Sequence, residues 1–267
     1  MKIKLSIALR KISLKVIQKW QKIFCNNKDL NISAILCYHD ISEKEWDWSV
    51  TPVEFEDQIK YLLKVGRIVR LDKLIRSGKE NRSLFTITFD DGYESVYKNA
   101  FPILEKYNVK ATVFILGKGK HTDLLSEAEL LNEKQIKKLR SAGWQIGYHS
   151  KIHSNLNDLA DSDLVESLVI DKNKLEKNLS LNFRYFSYPF GRYSKKAKKV
   201  LKNEGYKAAF TIEGSEYKNK SDLYRIPRVT IDKHLYFTDF KTLFTSEGLK
   251  FNNLFTKLLN IKDRLQK

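Results

Sequence analysis

Two acids and two imidazoles carry the chemistry this chain offers. Asp90 and Asp91 are adjacent, with Gly92 behind them, and they close the apolar, β-branched run Leu84-Phe85-Thr86-Ile87-Thr88-Phe89. Side chains alternate along a strand, so neighbouring acids reach one pocket only where the strand ends and a glycine lets the chain turn. One carboxylate can then bind a metal while the other stays free as a base. By themselves these residues fit an ordinary Asp-Asp-Gly turn equally well. His149 and His153 follow a second strand-like stretch, 144–148. Four residues apart, they fall on one side of a helical turn, within reach of one ion. Two His and one carboxylate leave coordination positions open for water and substrate. A third stretch, Arg184-Tyr185-Phe186-Ser187-Tyr188-Pro189-Phe190-Gly191, reads as a strand ending in a turn. An arginine beside a buried carboxylate holds it ionised, and a backbone N–H at such a turn can serve an oxyanion.

These groups need strands that end at one edge. Strand-like runs recur at 31–38, 84–89, 110–116, 144–148, 183–188, 207–212 and 224–231, and helical patterns alternate with them. Pro52 opens one helix and Gly66 stops it, and 161–179 reads as a long helix. Alternation of this kind predicts an α/β fold around a parallel sheet or barrel. That class places its sites at the carboxyl ends of strands, where both acids and both imidazoles stand. No internal repeat or composition break marks a second domain.

The chain has 267 residues, 42% of them hydrophobic, so a sizeable core is within reach. Its net charge of +17, from 49 Lys+Arg against 32 Asp+Glu, suits an anionic partner. The basic residues are scattered and no nucleic-acid signature accompanies them, so nucleic acid is not expected. Leu5, Leu9, Ile12, Val16, Trp20 and Ile23 recur at helical spacing, with Lys4, Lys11, Lys15, Lys19 and Lys22 on another face. This suits a helix lying on an anionic membrane, or one packed on the domain with solvated lysines outside. Phe251, Leu254, Phe255 and Leu258 repeat the style near the end. No apolar run approaches the ~20 residues of a membrane span, and 5–9 is too short for a signal core. The expected location is cytoplasmic, or peripheral on the inner face of the cell membrane. Cys25 and Cys37 build no disulfide framework and read as buried free thiols. Absence of a Gly-x-Ser-x-Gly and of any phosphate or dinucleotide loop disfavours those other chemistries.

Together, 88–92, 149–153 and 184–189 resemble, in order and spacing, the first three motifs of the polysaccharide deacetylases, the NodB-homology or carbohydrate esterase family 4 enzymes. The resemblance covers about residues 33–232. It implies a distorted (β/α) barrel of about seven parallel strands and metal-dependent removal of N-acetyl groups from an amino sugar. It implies that Asp91, His149 and His153 bind a divalent metal, commonly zinc, and that Asp90 is the general base with Arg184 as its orienting partner. The backbone at Tyr188 and Pro189 would lie at the oxyanion. Two late motifs of the family, an Asp with a nearby Trp and a Leu-x-His, are not evident. Tyr224-Arg225-Ile226-Pro227-Arg228-Val229 stands there instead, and its arginines either pair with site carboxylates or sit on the surface. Leu36-Cys37-Tyr38-His39-Asp40-Ile41 is similar to the poly-N-acetylglucosamine deacetylase branch, which implies His39 as general acid. Asp40 either orients His39 or is a turn residue, and Trp46, Trp48 and Tyr93 either stack on sugars or belong to the core.

Three segments are expected: a basic amphipathic helix over 1–28, a catalytic domain over 29–235 and a helical extension over 236–267. The substrate expected is an N-acetylated glycan or a lipid-linked sugar precursor. Two alternatives stand beside it, a catalytically impaired carbohydrate-binding protein on the same scaffold and an O-acetyl esterase.

Overall fold

The computed structural model describes residues 31–76, 82–117, 128–218 and 222–264. The basic helix expected over 1–28 lies outside them. Among the described residues ten strands form: β1 (Ser33–Tyr38), β2 (Asp40–Ile41), β3 (Ser49–Val50), β4 (Arg67–Ile68), β5 (Leu84–Phe89), β6 (Thr112–Ile115), β7 (Gln145–Tyr148), β8 (Tyr185–Ser187), β9 (Ala208–Phe210) and β10 (Val229–Thr230). Seven of them pair in the order β10-β1-β5-β6-β7-β8-β9, all parallel, with β4 added against the start of β5. Ile226 bridges to Phe210 of β9, and three residues later Val229 pairs with Leu36 of β1. The short stretch 226–230 therefore touches both ends of the seven-strand path and draws them into a barrel.

Alternation along β1 shows why this sequence builds two apolar layers. Leu36 and Tyr38 pack outward with Phe55, Phe89 and Ile87 under the helices, while Ile35 faces inward with Phe114, Tyr185, Phe210 and Ile226. Strands covered on both faces need continuous apolar runs, and all six residues of β5 are buried.

Helix α1 (Pro52–Val65) starts where local chemistry says it should. Thr51 accepts from the Glu54 N–H, Glu54 reaches back to the Thr51 N–H, and Pro52 fills the first turn. Two helical stretches are irregular. A π-helical turn over Val96–Ala100 precedes the helix Phe101–Lys106, because Pro102 cannot donate to the previous turn. The helix expected over 161–179 carries a π turn at Glu166–Ile170. At the end of the chain, helices Phe237–Leu243 and Ser246–Arg264 bring Phe240, Leu243, Phe244 and Leu249 into the main core.

Candidate active site

Asp90 and Asp91 divide at the end of β5. The Asp90 N–H still donates to Tyr38 O (2.9 Å), extending the pairing with β1 by one residue. Asp91 (φ 70°) and Gly92 (φ 78°) then turn left-handed, which sends the two carboxylates in different directions. For a non-glycine residue that conformation costs on the order of 1 kcal/mol or more. Both acids are buried.

His149 follows β7, its N–H bonded to Ile115 O, and Ser150 (φ 78°) reverses the chain. The His149–His153 spacing therefore works through a strained turn and not through the helical turn its period suggests. Asp91 Oδ1 lies 3.3 Å from His149 Nε2 and 3.8 Å from His153 Nε2. The donor atoms of all three residues fall within 4.8 Å of one another. His149 Nδ1 is 2.7 Å from Ser187 O. A carbonyl only accepts, so Nδ1 carries the hydrogen and the Nε2 lone pair faces the Asp91 carboxylate. Two lone pairs at that distance need a cation or a proton between them. The residues therefore fit a divalent ion, with a nitrogen- and oxygen-donor set that suits zinc. Electrostatics agree. Burial opposes charge on both partners, yet the carboxylates of Asp90 and Asp91 raise the His149 pKa, and the imidazoles hold Asp91 well below the usual carboxylate range. Tyr93 hydrogen-bonds the Asp91 carboxylate, the kind of outer contact that orients metal ligands.

Asp90 belongs to a second network. Arg228, fully buried, grips it through both oxygens, Nη1 to Oδ1 at 2.7 Å and Nη2 to Oδ2 at 2.6 Å. Ser187 Oγ (2.9 Å) and Cys37 Sγ (3.4 Å) also donate to Oδ2. Arg228 is fixed in turn by Thr88 Oγ1, Ser187 Oγ and Thr211 O, with the Phe114 ring 5.3 Å away. Burial alone would raise the Asp90 pKa, but the Arg228 guanidinium, together with His149 and His39, outweighs it and holds the acid far below its ordinary value.

Arg184 does not take this place. It is exposed, just before the first residue of β8, at the opposite end of the strand from Ser187. A strand's two ends face different edges of the barrel, so its guanidinium cannot reach Asp90. The partner is Arg228, and the signal for it was present: two residues after Ile226, alternation returns the side chain to the barrel interior. Sequence reasoning missed Ser187 altogether and read Cys37 only as a buried thiol.

The Tyr188 N–H is occupied as well. It donates to Phe210 O (3.0 Å), continuing the β8–β9 ladder, so it is not available to an oxyanion. Pro189 has no N–H to give and opens the short turn Pro189–Gly191. That turn sets the Phe190 ring edge-on against His153, centroids 4.2 Å apart.

His39 leaves β1 beside the acids. Its Nδ1 is buried and has no hydrogen-bond partner among the described residues, and a ring nitrogen lies within 4.8 Å of ligand atoms of Cys37 and Asp90. Burial lowers its pKa despite the attraction of Asp91 and Asp90. Trp48 (5.1 Å) and Trp46 (6.4 Å) cover the imidazole, and Trp46 rests on Tyr93 (5.4 Å). Asp40 does not orient His39. Its carboxylate accepts from the hydroxyls of Ser42, Ser49 and Ser95, which ties the β2–β3 loop down. Asp47 of the same loop bonds His234 Nε2 (3.0 Å).

Residues 77–209 match the family model described as polysaccharide deacetylase. The YxkH protein of Bacillus subtilis (strain 168), assigned by name to the polysaccharide deacetylases, is 30% identical over 202 residues, 74% of this chain and 70% of that one. The poly-beta-1,6-N-acetyl-D-glucosamine N-deacetylase of Staphylococcus aureus (strain MRSA252) is 29% identical over 213 residues, 75% of this chain and 73% of its own. Among solved structures, IcaB from Ammonifex degensii superposes with a TM-score of 0.69 at 23% identity, covering 82% of this chain and 97% of that one. The Streptococcus pyogenes deacetylase PplD, in complex with acetate, gives 0.67 at 23% identity, covering 83% and 97%. These two likenesses establish the barrel. His39 and Arg228, which face Asp90, both fall outside the stretch that the family model matches.

Proposed function

Because the chain belongs to the polysaccharide deacetylase family, we propose that it hydrolyses the N-acetyl amide of an amino sugar within a poly-N-acetylglucosamine or a related glycan precursor. The observation that carries the reading is the pairing of the Asp91–His149–His153 cluster with an arginine-clamped Asp90 beside it. Asp91, His149 and His153 would hold a divalent ion, zinc by the character of its donors. An ion held there would polarise the acyl carbonyl and would lower the pKa of bound water from ~16 toward ~7.

The chain's own residues move the protons. Asp90 Oδ2 lies 4.0 Å from His149 Nε2, beside the ligand set, and accepts the proton of the attacking water. Arg228 and Ser187 fix its orientation and keep it ionised. An amide nitrogen leaves only when protonated, so an acid is required. His39 fills that role. It rests neutral because it is buried, so the proton it delivers is one that the reaction itself releases, and Asp90, with a ligand atom within 4.8 Å, is its nearby source through the substrate or a water. Trp46 and Trp48 keep bulk water from the imidazole and offer flat faces to a sugar ring.

No helix among the described residues is long and apolar enough to cross a membrane. The basic amphipathic patterns of 1–25 and 250–265 support a peripheral stand on the inner face of an anionic membrane, where a lipid-linked sugar is within reach. Release of amine from N-acetylglucosamine oligomers tests the reaction. Turnover should need stoichiometric metal, vanish with chelator and return on adding zinc. Amine release by the chelated protein would reject the metal-assisted reading.

A further inference from the structure

Arg184 is left without a role by the catalytic pocket. It lines a second pocket, of about 290 Å³, together with Arg70, Asp72, Arg140, Trp144 and Asn182. Gln145 and Tyr185, the first residues of β7 and β8, also border it, so this pocket opens at the amino-terminal edge of the barrel. The acids and imidazoles follow the last residues of β5 and β7, at the other edge.

Three guanidiniums meet one carboxylate here. Arg70 is neutralised by Asp72, with Nε and Nη2 at 3.0 and 3.2 Å from its oxygens. Arg140 spends one N–H on Ser180 O (2.6 Å). The Arg184 side chain makes no hydrogen bond or ion pair among the described residues. Two positive charges are therefore left over in one concavity. Their identity is informative. Lysine outnumbers arginine 38 to 11 in this chain, yet every cation lining the pocket is arginine. A guanidinium presents paired N–H groups that match two oxygens of one phosphate, which an ammonium cannot do. Trp144 adds to the same wall, and its indole N–H is buried without an acceptor.

We propose that this pocket binds a phosphate group, as a mono- or diester, between Arg140 and Arg184. Its volume is at the small end of ligand pockets, enough for a phosphate and the first atoms of its carrier. A soluble phosphoester and a phospholipid headgroup share that chemistry. The site is independent of the hydrolytic reading and leaves the opposite edge open to a glycan.

Calorimetric titration of the full chain with glycerol 3-phosphate at low salt tests the site, and co-sedimentation with phosphatidylglycerol or phosphatidylcholine vesicles identifies the source. Saturable binding is expected, weakened by at least about tenfold in the Arg140→Gln/Arg184→Gln double variant. Asp72→Asn, which releases Arg70, should tighten it and carries the test if the double variant does not fold. A double variant that also loses phosphatidylglycerol vesicles assigns the phosphate to lipid. One that loses only glycerol 3-phosphate assigns it to a soluble ester. Absence of saturable binding to the wild-type chain, or equal affinity in wild type and both variants, overturns the proposal.

Discussion

The two ends of this barrel use arginine in opposite ways. At the carboxyl edge Arg228 is fully buried, bidentate to Asp90 and hydrogen-bonded on every side. At the amino edge Arg184 and Arg140 are exposed and nearly unengaged. The first arrangement expends its charge on holding another protein group in place. The second keeps its charge for something outside the chain. Burial decides between them, because a buried charge must be paired internally whereas an exposed one is screened by water.

The widest separation should come from removing the base. Asp90→Asn is expected to lower turnover by about 10²–10⁴-fold in an amine-release assay, with zinc still bound in equilibrium dialysis. Loss of zinc in that variant would merge the two networks that the geometry keeps apart. Next, Arg228→Met should cost about 3–5 kcal/mol in urea unfolding, because it strands the Asp90 charge. Arg184→Met should stay within about 0.5 kcal/mol and keep turnover. Equal losses at the two positions would erase the contrast between the edges. Ser187→Ala removes the hydrogen bond it donates to Asp90 and the one it accepts from Arg228, and should cost about 1.5–3 kcal/mol in the same measurement.

The smallest effects are in pH dependence, and two histidines of the metal-free chain should give opposite signs. Folding lowers the His39 pKa, so its contribution is present above about pH 6.5 and lost as pH falls through the folded value. Folding raises the His149 pKa, so its contribution is present below about pH 6.5 and lost as pH rises through the folded value. Thermal midpoints between pH 5 and 8 should therefore lose acid sensitivity in His39→Gln and lose alkaline sensitivity in His149→Gln. Matching slopes in the two variants would place both rings in the same environment.

What could be read from sequence was what is local in sequence. The Asp90-Asp91 pair and the His149–His153 pair announce themselves within six residues, and strand runs before them fix the edge on which they stand. The π turns at Val96–Ala100 and Glu166–Ile170 leave the helical period almost intact, so only Pro102 gave a hint of one of them. Whether Arg228 paired with a site carboxylate or sat on the surface stayed open for a different reason. Its bond to Asp90 spans 138 residues, and no spacing rule covers a contact made by barrel closure. Arg184 looked right because it stands beside a strand with site residues at its far end. The error was in direction: three residues separate it from Ser187, enough to cross from one edge to the other.

Closure of the barrel by 226–230 also sets an order in time. A nascent chain carries both acids and both imidazoles long before it carries Arg228. Until the last strand docks between β9 and β1, Asp90 has no guanidinium to hold it and only Ser187 and Cys37 to bond it. Hydrolytic competence should thus arrive late and all at once during synthesis, with the same residues that complete the cylinder. A fragment ending before residue 226 would lack the guanidinium that holds Asp90.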